Sequence, residues 1–93
     1  MNPGEVWALP DGTRRLVLSN ATYNESRLNQ VITSHIGGPT RTFQPFAVET
    51  SLGIAYADRV MMHPGNWLAE YVGAIEPAAL ATIRRHLTFL LGE

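Results

Sequence analysis

Two short polar clusters in this 93-residue chain carry side chains able to handle a phosphodiester. Thr13-Arg14-Arg15 stands where a turn signal meets an apolar run, and Thr33-Ser34-His35 closes a β-branched run. Arginine presents planar, paired donors that match the non-bridging oxygens of a phosphate. A hydroxyl and an imidazole orient a reacting group or move a proton. Alone, the first cluster is a solvated charge pair and the second a polar strand end. On neighbouring strands they would converge on one rim of a sheet as a phosphate cradle. Alternation along a strand puts Thr33 and His35 on one face and Ser34 on the other. The same parity places Arg15 with Thr13 and turns Arg14 away. Asn20 and Asn24, with Trp7, Tyr23 and Phe46, are candidates to read unstacked bases.

Other chemistries find little support. His35, His63 and His86 have no neighbour at a metal-ligand spacing, and with no cysteine there is neither thiolate site nor disulfide. No metal or cofactor is expected, and the histidines read as three partly exposed rings. No phosphate-binding glycine loop occurs. A Ser34-His35-Asp58 triad can be assembled on paper, but nothing in the spacing favours it. The net charge is -1, and all seven basic residues are arginine. That balance gives no broad nucleic-acid field, so any such site must be local. A hydrophobic share of 45% excludes a disordered chain. No apolar run approaches the ~20 residues that span a bilayer. No charged-then-apolar leader opens the chain. The expectation is a cytoplasmic protein with no membrane partner.

The elements that would position the clusters follow from turn residues and periodicity. Strands are predicted over 4–8, 15–19, 31–36, 43–50, within 54–62, and over 71–75. Pro10-Asp11-Gly12-Thr13 is the first tight turn. The run over 15–19 is continuously apolar after Arg15, the mark of a central strand buried on both faces. Pro45 argues for an edge strand. Residues 20–29 read as a loop or one helical turn, Trp67-Leu68 as a short helical turn, and His63-Pro64-Gly65-Asn66 as a break. Pro77 opens a terminal helix whose apolar stripe is Leu80, Ile83, Leu87, Leu90 and Leu91, with Gly92 as its cap and Phe89 roughly opposite. The fold class is mainly β (α+β): a small curled barrel of about six antiparallel strands with a C-terminal helix, one domain over 1–93. So small a core, with no staple, predicts a homodimer.

In order along the chain, these residues resemble the MazF/PemK toxin endoribonucleases of type II toxin-antitoxin systems. Pro3-Gly4-Glu5-Val6-Trp7 resembles the family's opening. Arg14-Arg15-Leu16-Val17-Leu18-Ser19-Asn20 resembles its Arg-Arg-Pro-Val-Val-Val-Leu-Ser-Asn strand. Ser26-Arg27-Leu28 fits the loop after it, and Val31-Ile32-Thr33-Ser34 the strand ending in Thr-Ser. Phe46-Ala47-Val48-Glu49 is similar to the Phe-x-Val strand, and residues 76–92 to a terminal helix ending Leu-Leu-Gly. The resemblance implies an SH3-like barrel of the CcdB/MazF kind, an obligate homodimer, and a cognate antitoxin. It implies metal-independent, sequence-specific cleavage of single-stranded RNA to 2′,3′-cyclic phosphate and 5′-hydroxyl ends. Thr33 matches the family threonine at the scissile phosphate, and Ser34 its neighbour. The family arginine falls on Arg14 or Arg15 only with a deletion, since ungapped counting from Asn20 lands on Thr13. The expected catalytic set is therefore Arg14, Arg15 and Thr33, with Thr13, Asn20, Ser34 and His35 binding substrate. The first loop is shorter than the family's, its Arg-Pro step is absent, and Asp58-Arg59 departs from its Gln-x-Arg pattern. Those departures favour one alternative, a member that binds RNA or antitoxin without cutting; Trp67, His86 and Phe89 allow another, a CcdB-like gyrase inhibitor on the same fold.

Overall fold

The computed structural model describes residues 1–38 and 44–92. Six strands form one antiparallel sheet: β1 (Glu5–Ala8), β2 (Arg14–Val17), β3 (Gln30–Gly37), β4 (Ala47–Thr50), β5 (Gly53–Pro64) and β6 (Glu70–Ala74). Their spatial order is β4-β5-β3-β2-β1-β6. A one-turn helix α1 (Ala21–Asn24) joins β2 to β3, a 3-10 turn (Gly65–Trp67) joins β5 to β6, and α2 (Pro77–Leu90) ends the fold.

Turn chemistry sets the hairpins. Asp11 accepts from the Thr13 backbone N–H at 2.9 Å, and Gly12 takes φ +89°, closing β1 onto β2. At the β4–β5 turn Gly53 has φ +128°, and a Cβ there would meet the Gly37 carbonyl oxygen at 2.5 Å, so only glycine fits. As expected, β2 is interior, and Arg15, Leu16 and Val17 are all buried. β4 lies at an edge. Its expected start at Phe43, and the Pro39 stop after β3, lie outside the described residues.

Alternation divides the sheet into two faces. Val6, Leu16, Ile36, Val48, Ala55 and Ala57 pack with Ile75, and α2 covers them with Ala79 and Ile83. This is the main core. On the other face Val17, Val31 and Leu68 form a smaller cluster flanked by Trp7 and Leu9.

Two expectations are corrected. β5 continues through His63 and Pro64 instead of breaking there. The α2 stripe buries Ile83, and Leu80 and Leu87 partly, while Leu90 and Leu91 stay exposed. Ala79 takes a core position instead. Phe89 is exposed, yet its ring centroid sits 6.0 Å from that of Phe46. No described helix is long and apolar enough to cross a membrane.

Candidate functional site

The face that α2 does not cover brings the two polar clusters together. Arg15 on β2 is the Cα partner of His35 on β3, and Val17 is the partner of Thr33. Arg15, Thr33 and His35 therefore share one face. Arg15 donates from Nε to Thr33 Oγ1 at 3.0 Å, and from Nη2 to the Thr33 carbonyl at 3.1 Å and the Arg59 carbonyl at 3.5 Å. Among the described residues Nη1 has no partner. Burial pulls the Arg15 pKa below the ordinary guanidinium value. The guanidinium is thus desolvated and held by a hydroxyl and two carbonyls, with no anion among those partners. A cation so placed can receive an anion.

Thr33 is fully buried and works from behind Arg15. Its Oγ1 lies 2.9 Å from His63 Nε2, and His63 Nδ1 lies 2.8 Å from the Pro64 carbonyl. A carbonyl only accepts, so Nδ1 carries the proton, and in that tautomer Nε2 accepts from the Thr33 hydroxyl. His63 is 2% exposed and stacks on Trp67, with centroids 5.2 Å apart at 9°. The chain of bonds from Arg15 through Thr33 and His63 to Pro64 fixes where the guanidinium points.

On the other side of Arg15 stands His35, half-buried. Desolvation first, then the charges of Arg15 and Arg59, hold its pKa below 6.5. The ring is neutral at pH 7 and can accept a proton. Its centroid lies 5.4 Å from that of Tyr56, and the Arg59 Cζ sits 4.5 Å over the Tyr56 ring. A register shift makes this cluster. Ser34 pairs with Val60 while His35 pairs with Tyr56, so residues 57–59 bulge out of the ladder. The bulge turns the Arg59 carbonyl toward Arg15 while the Arg59 side chain lies over Tyr56.

The other expected residues are placed differently. Arg14 and Thr13 are exposed and, with His35 and Gly37, line an open cavity of about 510 Å³. Ser34 points to the opposite face from Thr33 and His35, and among the described residues its buried hydroxyl has no hydrogen-bond partner. Asn20 caps α1 by accepting from the Tyr23 N–H at 2.9 Å. Asn24 donates from Nδ2 to the Met1 and Ser19 carbonyls and is structural. Phe46 packs against the main core, and its ring meets that of His86 at 5.6 Å. Tyr23 points its hydroxyl at the Met62 sulfur.

Sequence reasoning missed Tyr56, Arg59 and His63. Tyr56 and Arg59 depend on the bulge, which leaves no signal in the sequence. His63 was hidden by the expected chain break, and its burial corrects the reading of three partly exposed histidines.

No family model matches the chain, and no curated protein matches it in sequence. Solved structures do. A MazE-MazF complex from Deinococcus radiodurans superposes with a TM-score of 0.87 at 23% identity, covering 100% of this chain and 97% of its own. An endoribonuclease from a mycobacterial species gives 0.83 at 23% identity, covering 99% and 91%. A mycobacterial endoribonuclease in complex with its cognate antitoxin gives 0.81 at 24% identity, covering 99% and 95%. Six antiparallel strands, the terminal helix and near-complete mutual coverage place this chain in the MazF-like fold.

Proposed function

We propose that the protein is a toxin of the MazF kind: a metal-independent endoribonuclease that cuts single-stranded RNA. The observation that carries this is the convergence of Arg15, Thr33 and His35 on the one sheet face that α2 leaves uncovered, with no anion among the hydrogen-bond partners that the described residues give Arg15. Fold likeness to endoribonucleases supports the same reading.

The roles follow from the geometry. Arg15 binds the scissile phosphate through Nη1, which has no partner among the described residues, and stabilises the charge that builds in the transition state. Arginine's very high pKa makes it a poor acid, so its contribution is charge and position. Thr33 does not reach the phosphate; it braces Arg15. His35 takes the proton from the 2′-hydroxyl as that oxygen attacks the adjacent phosphorus. The P–O5′ bond breaks, and the departing oxygen takes a proton from water. The products are a 2′,3′-cyclic phosphate and a 5′-hydroxyl. Arg14 and Arg59 add local positive charge on either side.

We place the 93 residues as one domain working in the cytoplasm as a homodimer. The surface for the second copy is the apolar cleft of about 400 Å³ between Leu18, Ile32, Val60, Leu87 and Leu91. The antitoxins bound in the Deinococcus and mycobacterial structures support a protein partner of that kind for this chain too.

The test is incubation of the purified protein with a long RNA of mixed sequence in EDTA, with the ends mapped, beside Arg15→Ala and His35→Asn. Discrete cuts with 5′-hydroxyl ends, lost in both variants, are expected. A folded dimer that leaves the RNA intact at high concentration refutes the enzyme, and RNA binding without cutting would then mark a binding protein.

A further inference from the structure

The register of the sheet lines up one residue from each of five strands. Tyr71 on β6 pairs with Trp7 on β1, Trp7 with Arg15 on β2, Arg15 with His35 on β3, and His35 with Tyr56 on β5. Directly opposed residues point to the same face, so these side chains form a transverse row with Arg15 at its centre. The row reads aromatic, aromatic, cation, imidazole, aromatic. Aromatic rings interleaved with arginine are what unpaired nucleotides select, because rings stack bases while the cation holds the backbone.

The two ends of the row differ. Tyr56 is buried under Arg59, so it offers no ring to solvent. Tyr71 is 52% exposed. An exposed tyrosine on an edge strand is by itself unremarkable in a β protein. This one is braced. Trp7 donates from Nε1 to Glu5 at 3.0 Å and meets Tyr71 edge-to-face, with centroids 5.5 Å apart at 72°. That contact occupies at most one face of the Tyr71 ring. Two strand spacings, about 10 Å, separate Tyr71 from Arg15. An unstacked nucleotide chain bridges that span.

We propose that the row is the track of the RNA strand, crossing β6, β1, β2 and β3, and that Tyr71 is the platform on which an unpaired base beside the scissile phosphate stacks. This rests on the endoribonuclease reading, to which it adds a base-binding subsite and a direction. A stacking platform accepts any base with a free face and refuses an abasic sugar. It contributes little to the salt dependence of binding, unlike an arginine–phosphate contact.

The experiment measures binding of a single-stranded 2′-O-methyl oligonucleotide of defined mixed sequence, which lacks the attacking hydroxyl. Wild type, Tyr71→Ala and Tyr71→Phe are compared by fluorescence anisotropy. Tyr71→Ala is expected to weaken binding about tenfold with an unchanged salt slope, and Tyr71→Phe to keep it. Abasic substitution walked along the oligonucleotide should reveal one position that weakens wild type about tenfold and leaves Tyr71→Ala unaffected. Binding to Tyr71→Ala as tight as to wild type overturns the track while RNA cleavage stands. An abasic profile identical in both proteins overturns it equally. Failure of wild type to bind the oligonucleotide or cut RNA overturns the endoribonuclease reading and the track with it.

Discussion

Thr33→Val isolates the buried brace behind Arg15. Valine keeps the shape and deletes the hydroxyl that accepts from Arg15 Nε and donates to His63 Nε2. Both groups lie on buried side chains, Arg15 at 7% and His63 at 2% exposure. Each orphaned buried group costs about 1–3 kcal/mol, so with two of them the substitution should cost roughly 2–6 kcal/mol. His63→Phe removes the acceptor while keeping a ring against Trp67, and should cost about 1–3 kcal/mol. The double variant no longer has a histidine to orphan. Its cost should fall short of the sum by about 1–2 kcal/mol. The assay is urea unfolding of all four proteins at one fixed protein concentration, since a dimer's stability depends on it. Thr33→Val should also lower kcat by misaiming Arg15. Additive costs, or a Thr33→Val change within about 0.5 kcal/mol, the range of an ordinary surface substitution, refute the brace.

Further outcomes follow from the same geometry. Folding holds the His35 pKa below 6.5, so as pH falls the unfolded chain binds the proton first. Stability should therefore be unaffected by His35 above pH 6.5 and decline between 6.5 and the folded-state value, and His35→Asn should flatten that decline in pH-dependent unfolding. The acid limb of kcat/KM in the free enzyme should likewise fall below pH 6.5; a limb above it rules out His35 as the base. Arg59→Gln should weaken RNA binding and lower the slope of log K against log salt by about one, and an unchanged slope removes Arg59 from the phosphate contacts. Leu91→Glu puts a charge into the cleft beside Val60 and Leu87 and should leave a folded monomer in sedimentation; a persistent dimer places the interface elsewhere.

How far the sequence could be read turns on which features local rules control. Strand existence, the interior place of β2, the edge place of β4 and the covering helix all follow from turn residues and apolar pattern. Parity along β3 was enough to separate Thr33 and His35 from Ser34, and parity along β2 set Arg15 apart from Arg14. Putting Arg15 beside Thr33 needed more, because parity within each strand is silent about register between strands. The observed pairing of Arg15 with His35 and of Val17 with Thr33 supplies it. The site residues that could not be read, Tyr56, Arg59 and His63, all lie on β5. Its partnership with β3 shifts by the bulge at 57–59. Before the bulge the row partner of Arg15 and His35 is Tyr56; after it, His63 falls beside Thr33. One extra stretch of backbone outside the β3 ladder thus lets a single strand supply the aromatic seat under Arg59 and the histidine behind Thr33. A perfectly regular β5 would carry its alternation unbroken from Tyr56 to His63, and residues seven apart then face opposite sides. Only one of the two could have reached this face. The irregularity that hides the site from a pattern reading is the same feature that builds it.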